Sequence, residues 1–193
     1  MIQTQRVIVR GAVVGTISFL LGYLFTWILA GTKIGSLFVT GPFGGGVPDW
    51  KATLWVFYDS HFVGTRTPEV FGPGGGLWGG GDLIDTVSLL GLEFLYVVPV
   101  VVLLVGGVVV AMLVGVNGPR EGAIAGTAVA VGYLALVVAG LFPATQGGVA
   151  PSPLRAIVVA GVVYPIGLGA IGGAIVGLIG SESTDDRDDR VAH

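Results

Sequence analysis

The chain has 193 residues, of which 53% are hydrophobic and 11% charged, with a mean hydropathy of +0.89 and a formal net charge of −3. Soluble domains carry about 25% charged residues, so the composition argues against one, and without a sustained basic stripe nucleic acid is not expected as a partner. There is no Cys, which removes disulfides, thiolate metal sites and cysteine nucleophiles.

No formal charge falls between Arg10 and Lys33, Glu93 and Arg120, Glu121 and Arg155, or Arg155 and Glu182. Each window holds a run near the ~20 apolar residues that cross a hydrocarbon core. The fold class expected is therefore an all-α membrane protein with four spanning helices, at 11–31, 92–116, 122–142 and 154–180. In helix 1, Gly11, Gly15, Ser18 and Gly22 repeat a small residue at spacings that share a face, which lets another backbone approach closely. Arg6 and Arg10 before an apolar stretch raise a signal peptide. The uncharged run is longer than a typical h-region of about 7–15 residues, and no small-x-small cleavage site follows, so helix 1 is expected to be retained.

An outer loop over 32–91 follows. Its glycine runs, Gly41–Gly46, Gly72–Gly76 and Gly79–Gly81, lack the Gly-Lys-Ser/Thr ending of a phosphate loop and read as linkers. Between them the spacing predicts a helix over about 49–63, capped by Asp49. Trp50, Leu54, Phe57, Tyr58 and His61 share one face, widened by Trp55 and Phe62, with Val56 and Val63 opposite. Such a helix either lies in the membrane interface with its aromatic face down or packs as an ordinary cap on the bundle.

Helix 2 is expected to have a lead-in capped by Asp82, running through Leu83, Val87 and Leu90. Pro99 is expected to kink it and free the carbonyl of Leu95, and Gly107, Ala111 and Gly115 form a small-residue strip. The short connection 117–121 predicts antiparallel contact of helices 2 and 3. Helix 3 presents Gly122, Gly126 and Ala130, and a polar turn over 143–153 leads to helix 4, with Pro165 and the strip Gly169, Gly173 and Gly177. The acidic segment 181–193 carries a charge run that predicts a disordered, solvated tail.

Gly11-Ala-Val-Val-Gly-Thr16 with Gly22-Tyr-Leu24 returns as Gly122-Ala-Ile-Ala-Gly-Thr127 with Gly132-Tyr-Leu134, and Pro99 to Gly106-Gly107 matches Pro165 to Gly172-Gly173. This echo predicts two pseudo-repeated hairpins related by an axis along the membrane normal. Arg6, Arg10, Arg120, Arg187 and Arg190 near the helix ends place both termini in the cytoplasm.

Ionisable groups within a span are the default functional signal, and the chain has almost none. Glu93 and Arg155 start helices near the outer interface, where they either pair or reach water separately. Tyr23 and Tyr133 occupy equivalent repeat positions and each needs a hydroxyl partner, such as a carbonyl freed by Pro99 or Pro165. His61, the lone histidine outside the tail, has no companions for a metal site. Asp59, Ser60 and His61 are sequence neighbours that point in different directions on a helix, unsuited to a catalytic relay. The candidate interaction positions are therefore Tyr23, Tyr133, Glu93, Arg155, Trp50, Trp55, Tyr58 and His61, with no catalytic, cofactor or metal residue expected.

At Trp50-Lys51, Trp55-Val-Phe-Tyr58 and His61-Phe-Val63, together with the Gly-Tyr-Leu of helix 1 and Val163-Tyr-Pro165, the chain resembles a family of uncharacterised four-pass membrane proteins of halophilic archaea. The resemblance implies membrane residence and no assigned activity. The few lysines (Lys33 and Lys51), abundant Gly and sequence pI of about 5.2 fit a high-salt source. Two functions are expected from these features. The favoured one is a noncatalytic structural or accessory subunit, partnered by the lipid bilayer and by itself or another membrane protein. The alternative is a small transporter or channel built from two parallel hairpins.

Overall fold

The structure, a computed structural model, describes residues 2–36, 46–67 and 83–191, with side chains over 4–36, 46–67 and 83–180. The glycine runs expected as linkers, apart from Gly46, and Asp82 lie outside the described residues. In chain order the elements are α1 (Ile2–Ile34), α2 (Asp49–Asp59), β1 (Thr65–Arg66), β2 (Leu83–Ile84), α3 (Thr86–Leu90), a 3₁₀ turn (Glu93–Tyr96) leading into α4 (Val97–Val114), α5 (Pro119–Thr127), α6 (Val129–Ala144), β3 (Ala150–Pro151), α7 (Pro153–Arg155), a π-helical stretch (Ala156–Val163) and α8 (Tyr164–Val191). Four helical segments are long and apolar enough to cross a membrane: Thr4–Ile34, Glu93–Val114, Pro119–Ala144 and Pro153–Gly180. The helical backbone of α8 continues to Val191, over most of the segment expected to be disordered.

The kink expected at Pro99 takes another form. Pro99 is the third residue of α4, in the first turn, where its missing N–H would have had no helical partner anyway. The Leu95 carbonyl is not freed, because it accepts from the Val97 N–H. Pro165 is the second residue of α8, and there the preceding turns widen into the π-helical stretch. Proline cannot donate to the carbonyl four residues back, and a tighter or a wider turn before it is one way to accommodate the loss. The chain does one at Pro99 and the other at Pro165.

The chain divides into two compact units and passes between them within the long helices. The first comprises Met1–Phe19, Val100–Ala135 and Val162–His193. Glycine organises its packing. A Cβ on Gly118's neighbour in this arrangement, Gly177, would overlap the Gly118 carbonyl; one on Gly122 would overlap the Gly173 carbonyl; and one on Gly169 would lie 2.5 Å from the Gly126 oxygen. These three rungs step by four residues in opposite directions along α5 and α8, so two Gly-x3-Gly-x3-Gly faces meet backbone to backbone. At such separations Cα–H groups contact carbonyl oxygens and dispersion is maximal. Gly107 of α4 abuts Gly169, while Gly11 and Gly15 of α1 abut Ala128 and Val129.

The glycine partners differ between the two sequence echoes. Gly11 and Gly15 approach the α5–α6 segment, whereas their counterparts Gly122 and Gly126 approach α8. The motif encodes a close-approach surface and leaves the partner open. Gly115, expected in the α4 strip, has φ +77 with nothing near its Cβ position, and so ends the helix as a left-handed residue.

The second unit comprises Leu20–Pro99 and Leu136–Gly161. Its core gathers α2 almost entirely, with Ile34, Val63, Val87, Leu95, Val137 and Ala160. The three short strands pair antiparallel in the order β2-β1-β3, with Thr65 opposite both Ile84 and Pro151. Leu83 therefore belongs to a strand and not to a helical lead-in. The cap of α3 is Asp85, whose carboxylate accepts from the Val87 and Ser88 N–H groups.

Candidate functional site

The segment that sequence periodicity marks as unusual, α2, is also the most enclosed part of the second unit. It starts after Pro48, whose carbonyl accepts from Lys51 and Ala52. Pro48 is the N-cap, and Asp49 is the first helical residue with no side-chain capping bond, placed where a negative charge suits the helix dipole. The helix ends at Asp59 and not near Val63. Phe62 adopts φ +59, a left-handed conformation costly for a residue with a Cβ, and its ring stacks on Tyr96 with centroids 4.5 Å apart.

The expected one-sided aromatic face is replaced by enclosure on all sides. Every residue from Ala52 to Asp59 is buried, and Val56 and Val63, placed opposite by periodicity, have no exposed surface. Trp50, expected to share one face with Leu54, Phe57, Tyr58 and His61, is 40% exposed. The reason is that α2 is surrounded by its own unit, so no face is left over for solvent.

Side-chain donors anchor α2 to α6, Tyr58 at its middle and Trp55 and Lys51 at its C-terminal end. Trp55 Nε1 donates to the Ala144 carbonyl at 2.6 Å, the Tyr58 hydroxyl to the Val137 carbonyl at 2.6 Å, and Lys51 Nζ to the Thr145 carbonyl at 3.2 Å. A helix C-terminus has carbonyls without helical donors, and a cation there is favourable. Burial pushes the Tyr58 hydroxyl's pKa upward, so it remains a donor. Replacing Tyr58 with Phe should lower stability by about 1–2 kcal/mol, read as the shift in thermal unfolding midpoint.

Tyr23 and Tyr133 do not form a matched pair. The Tyr23 hydroxyl donates to the Trp50 carbonyl at 3.0 Å, so its acceptor is not a proline-freed carbonyl, and its ring meets Phe57 edge-on. Tyr133 is fully buried in the first unit, edge-on to Phe19 at 5.4 Å. Glu93 is exposed and Arg155 half-buried, and no ion pair between them is found among the described residues.

The residue that sequence reasoning passed over is Asp59, the sole formal charge between Lys51 and Arg66. It is fully buried. The Thr65 hydroxyl donates to its two oxygens at 3.1 and 3.0 Å, while the Thr86 N–H and hydroxyl donate to Oδ2 at 2.9 and 2.7 Å. One carboxylate thus ties the end of α2 to β1 and to the start of α3. Burial pushes its pKa up to about 7, against the downward pull of the Thr86 and Thr65 hydrogen bonds and with a further upward push from Asp85. A signal for it was present in the sequence: a lone carboxylate inside an aromatic segment must find donors if that segment is buried.

His61 is buried too. Its Nδ1 lies 2.8 Å from the Phe57 carbonyl, which fixes the N–H there, and burial draws its pKa down to about 4 despite that bond. The Ser60 hydroxyl donates to the same carbonyl at 2.6 Å. Asp59 takes its donors from threonines and not from His61, so the three neighbours form no relay. Among the described residues no group of three or more His, Cys, Asp or Glu is placed to hold a metal ion.

Beside Asp59 lies a cavity of about 290 Å³, lined by Trp55, Thr65, Ile84, Thr86, Leu89 and Gln146, among others. It is mainly apolar, and its polar side chains are the two threonines that hold the carboxylate together with Thr67 and Gln146. It has the form of a ligand pocket, apolar walls with a few placed polar groups.

No curated protein matches the chain. No solved structure matches it either. Residues 2–180 match one family over nearly the whole chain, and the protein accordingly belongs to the family of unknown function DUF7978.

Proposed function

We propose that the protein is a noncatalytic integral membrane protein, a structural or accessory subunit, with four membrane crossings and both termini in the cytoplasm. One observation carries this reading. Only 28% to 44% of the most apolar window of each candidate span is buried, leaving Ile17, Leu24 and Ile28 of α1 and Ile171, Ile175 and Leu178 of α8 exposed. Water would penalise so much apolar surface, about 25 cal/mol per Å², whereas lipid would not. Support for a noncatalytic role comes from the described polar groups of the second unit: Ser60 Oγ lies 3.4 Å from His61 Nδ1, but both groups bond the Phe57 carbonyl, so the imidazole is not set up as a base toward the hydroxyl. The reading places α2 and the cavity on the outer side, where the partner would be a second copy or another membrane protein. The high-salt composition is consistent with a halophilic source.

Because the chain has no Cys, single-cysteine labelling reports each side cleanly. The protein should stay with the membrane through an alkaline carbonate wash. In intact cells Thr145→Cys should react with an impermeant maleimide, whereas Asn117→Cys should react only after lysis. Release by carbonate, or the reverse labelling pattern, would overturn the assignment. Ion or solute flux through proteoliposomes of the purified protein would replace the accessory role with the transporter or channel alternative.

A further inference from the structure

The cavity beside Asp59 has a chemical polarity that its lining residues alone do not suggest. A hydroxyl carries one proton. The Thr65 and Thr86 protons are both directed at Asp59, so the two oxygens have only lone pairs to offer the cavity. Behind them stands a carboxylate whose interactions are with hydroxyl and amide donors and with the like charge of Asp85. Among the described residues no Lys, Arg, Asp or Glu lines the cavity, and its remaining wall includes Trp55, Ile84, Leu89 and Val149. The floor at Thr65 and Thr86 is thus all acceptor and electronegative, while the rest of the lining is mainly apolar, with Thr67 and Gln146 as its other polar side chains and an indole ring suited to a cation. At about 290 Å³ the space sits just below the usual range of roughly 300–1,000 Å³ for ligand pockets, room for a molecule of few heavy atoms.

We propose that this cavity binds a small organic cation, a short aliphatic chain ending in an ammonium group. The ammonium would donate to the Thr65 and Thr86 hydroxyl oxygens, and the chain would lie against Trp55, Ile84 and Leu89. At the Thr65–Thr86 floor an anion would meet two acceptors and a carboxylate. A neutral alcohol would satisfy one acceptor and leave the buried charge without a counterion.

The test is calorimetric titration of the purified full-length protein with n-butylammonium, n-butanol and butyrate at one ionic strength. It is run near pH 8.5, above the raised value of about 7 for Asp59, so that the carboxyl is ionised. Butylammonium should bind about 10-fold or more tightly than either neutral or anionic analogue. Asp59→Asn should bring the ammonium and alcohol affinities within about 2-fold of each other. Leu89→Trp, at a position 45% exposed, should fill the cavity and abolish ammonium binding without moving the unfolding midpoint. Equal affinities for the three probes, no binding of butylammonium, or unchanged binding in a folded Leu89→Trp protein would each overturn the proposal. The wild-type series and Leu89→Trp decide the matter even if Asp59→Asn fails to fold.

Discussion

Replacing Gly126 with valine is expected to cost at least about 3 kcal/mol, the upper end of the range for overpacking, and to leave little folded protein. A Cβ there would overlap the carbonyl oxygen of Gly169 and come within 3.3 Å of the Gly173 Cα. Side-chain clashes relax by a rotamer change, but this one is with backbone, so α5 and α8 would have to part. Parting at this end rung also strains the neighbouring Gly122–Gly173 rung and then Gly118–Gly177, because one helix face presents all three. Gly167→Ala supplies the control: Gly167 has nothing within 4 Å of its Cβ position. That change should be neutral or stabilise by up to about 1 kcal/mol through helix propensity. Thermal unfolding followed by circular dichroism, with size-exclusion profiles, separates the two. A Gly126→Val protein as stable as wild type would mean that α5 and α8 do not meet through this face.

The second large effect is electrostatic and is hidden in the wild type. Asp59 has a folded pKa raised to about 7, against about 3.9 for an unfolded Asp. Between those values the folded state holds a proton that the unfolded state has lost, so stability falls as pH rises from about 4 to about 7. His61 does the opposite. Its folded pKa is lowered to about 4, against about 6.5 unfolded, so the unfolded state takes the proton and stability rises with pH across that window. Two buried groups on the same turn thus cancel over most of the range.

Single substitutions should uncover each component. Asp59→Asn should leave a stability that climbs with pH between about 4 and 6.5, by roughly 1 kcal/mol per pH unit. His61→Gln should leave one that declines from about 4 to about 7 with similar steepness. Denaturation midpoints across this pH range, measured for both variants and wild type, are the readout. Parallel profiles for all three proteins would show that neither group is buried as described. Asp59→Ala should lower stability at every pH, because the Thr86 N–H and two hydroxyls lose their acceptor and buried unpaired donors each cost about 1–3 kcal/mol.

Comparison of particular residues shows where sequence reasoning reached and where it stopped. The four long apolar helices were legible because a charge gap of spanning length is a one-dimensional property of the chain. The small-residue strips Gly122–Gly126 and Gly169–Gly173–Gly177 were legible for a similar reason, since a spacing of four puts residues on one helix face. Which strips meet was not legible: Gly11 and Gly122 carry the same local motif yet approach different helices. Pro99 and Pro165 were visible as interruptions of hydrogen bonding. Whether the chain answers with a tighter or a wider turn depends on what the neighbouring turns pack against.

In the candidate site, the aromatic segment stood out, but Asp59 did not. Its four hydrogen bonds come from Thr65 and Thr86, six and twenty-seven residues away, and nothing in local periodicity links those positions. The same holds for Trp55 and Tyr58, whose acceptors belong to α6, 89 and 79 residues further along.

By itself, then, the order of residues determined the four long apolar helices and the glycine faces that admit close approach, since each follows from local periodicity and from the spacing of charges. Tertiary structure alone decided the glycine partners, the enclosure of α2, and the polarity of the cavity beside Asp59. Those depend on which donor meets which acceptor across long stretches of chain, and hydrogen bonds are directional and short-ranged. Only the folded chain brings such groups to within 3 Å of one another.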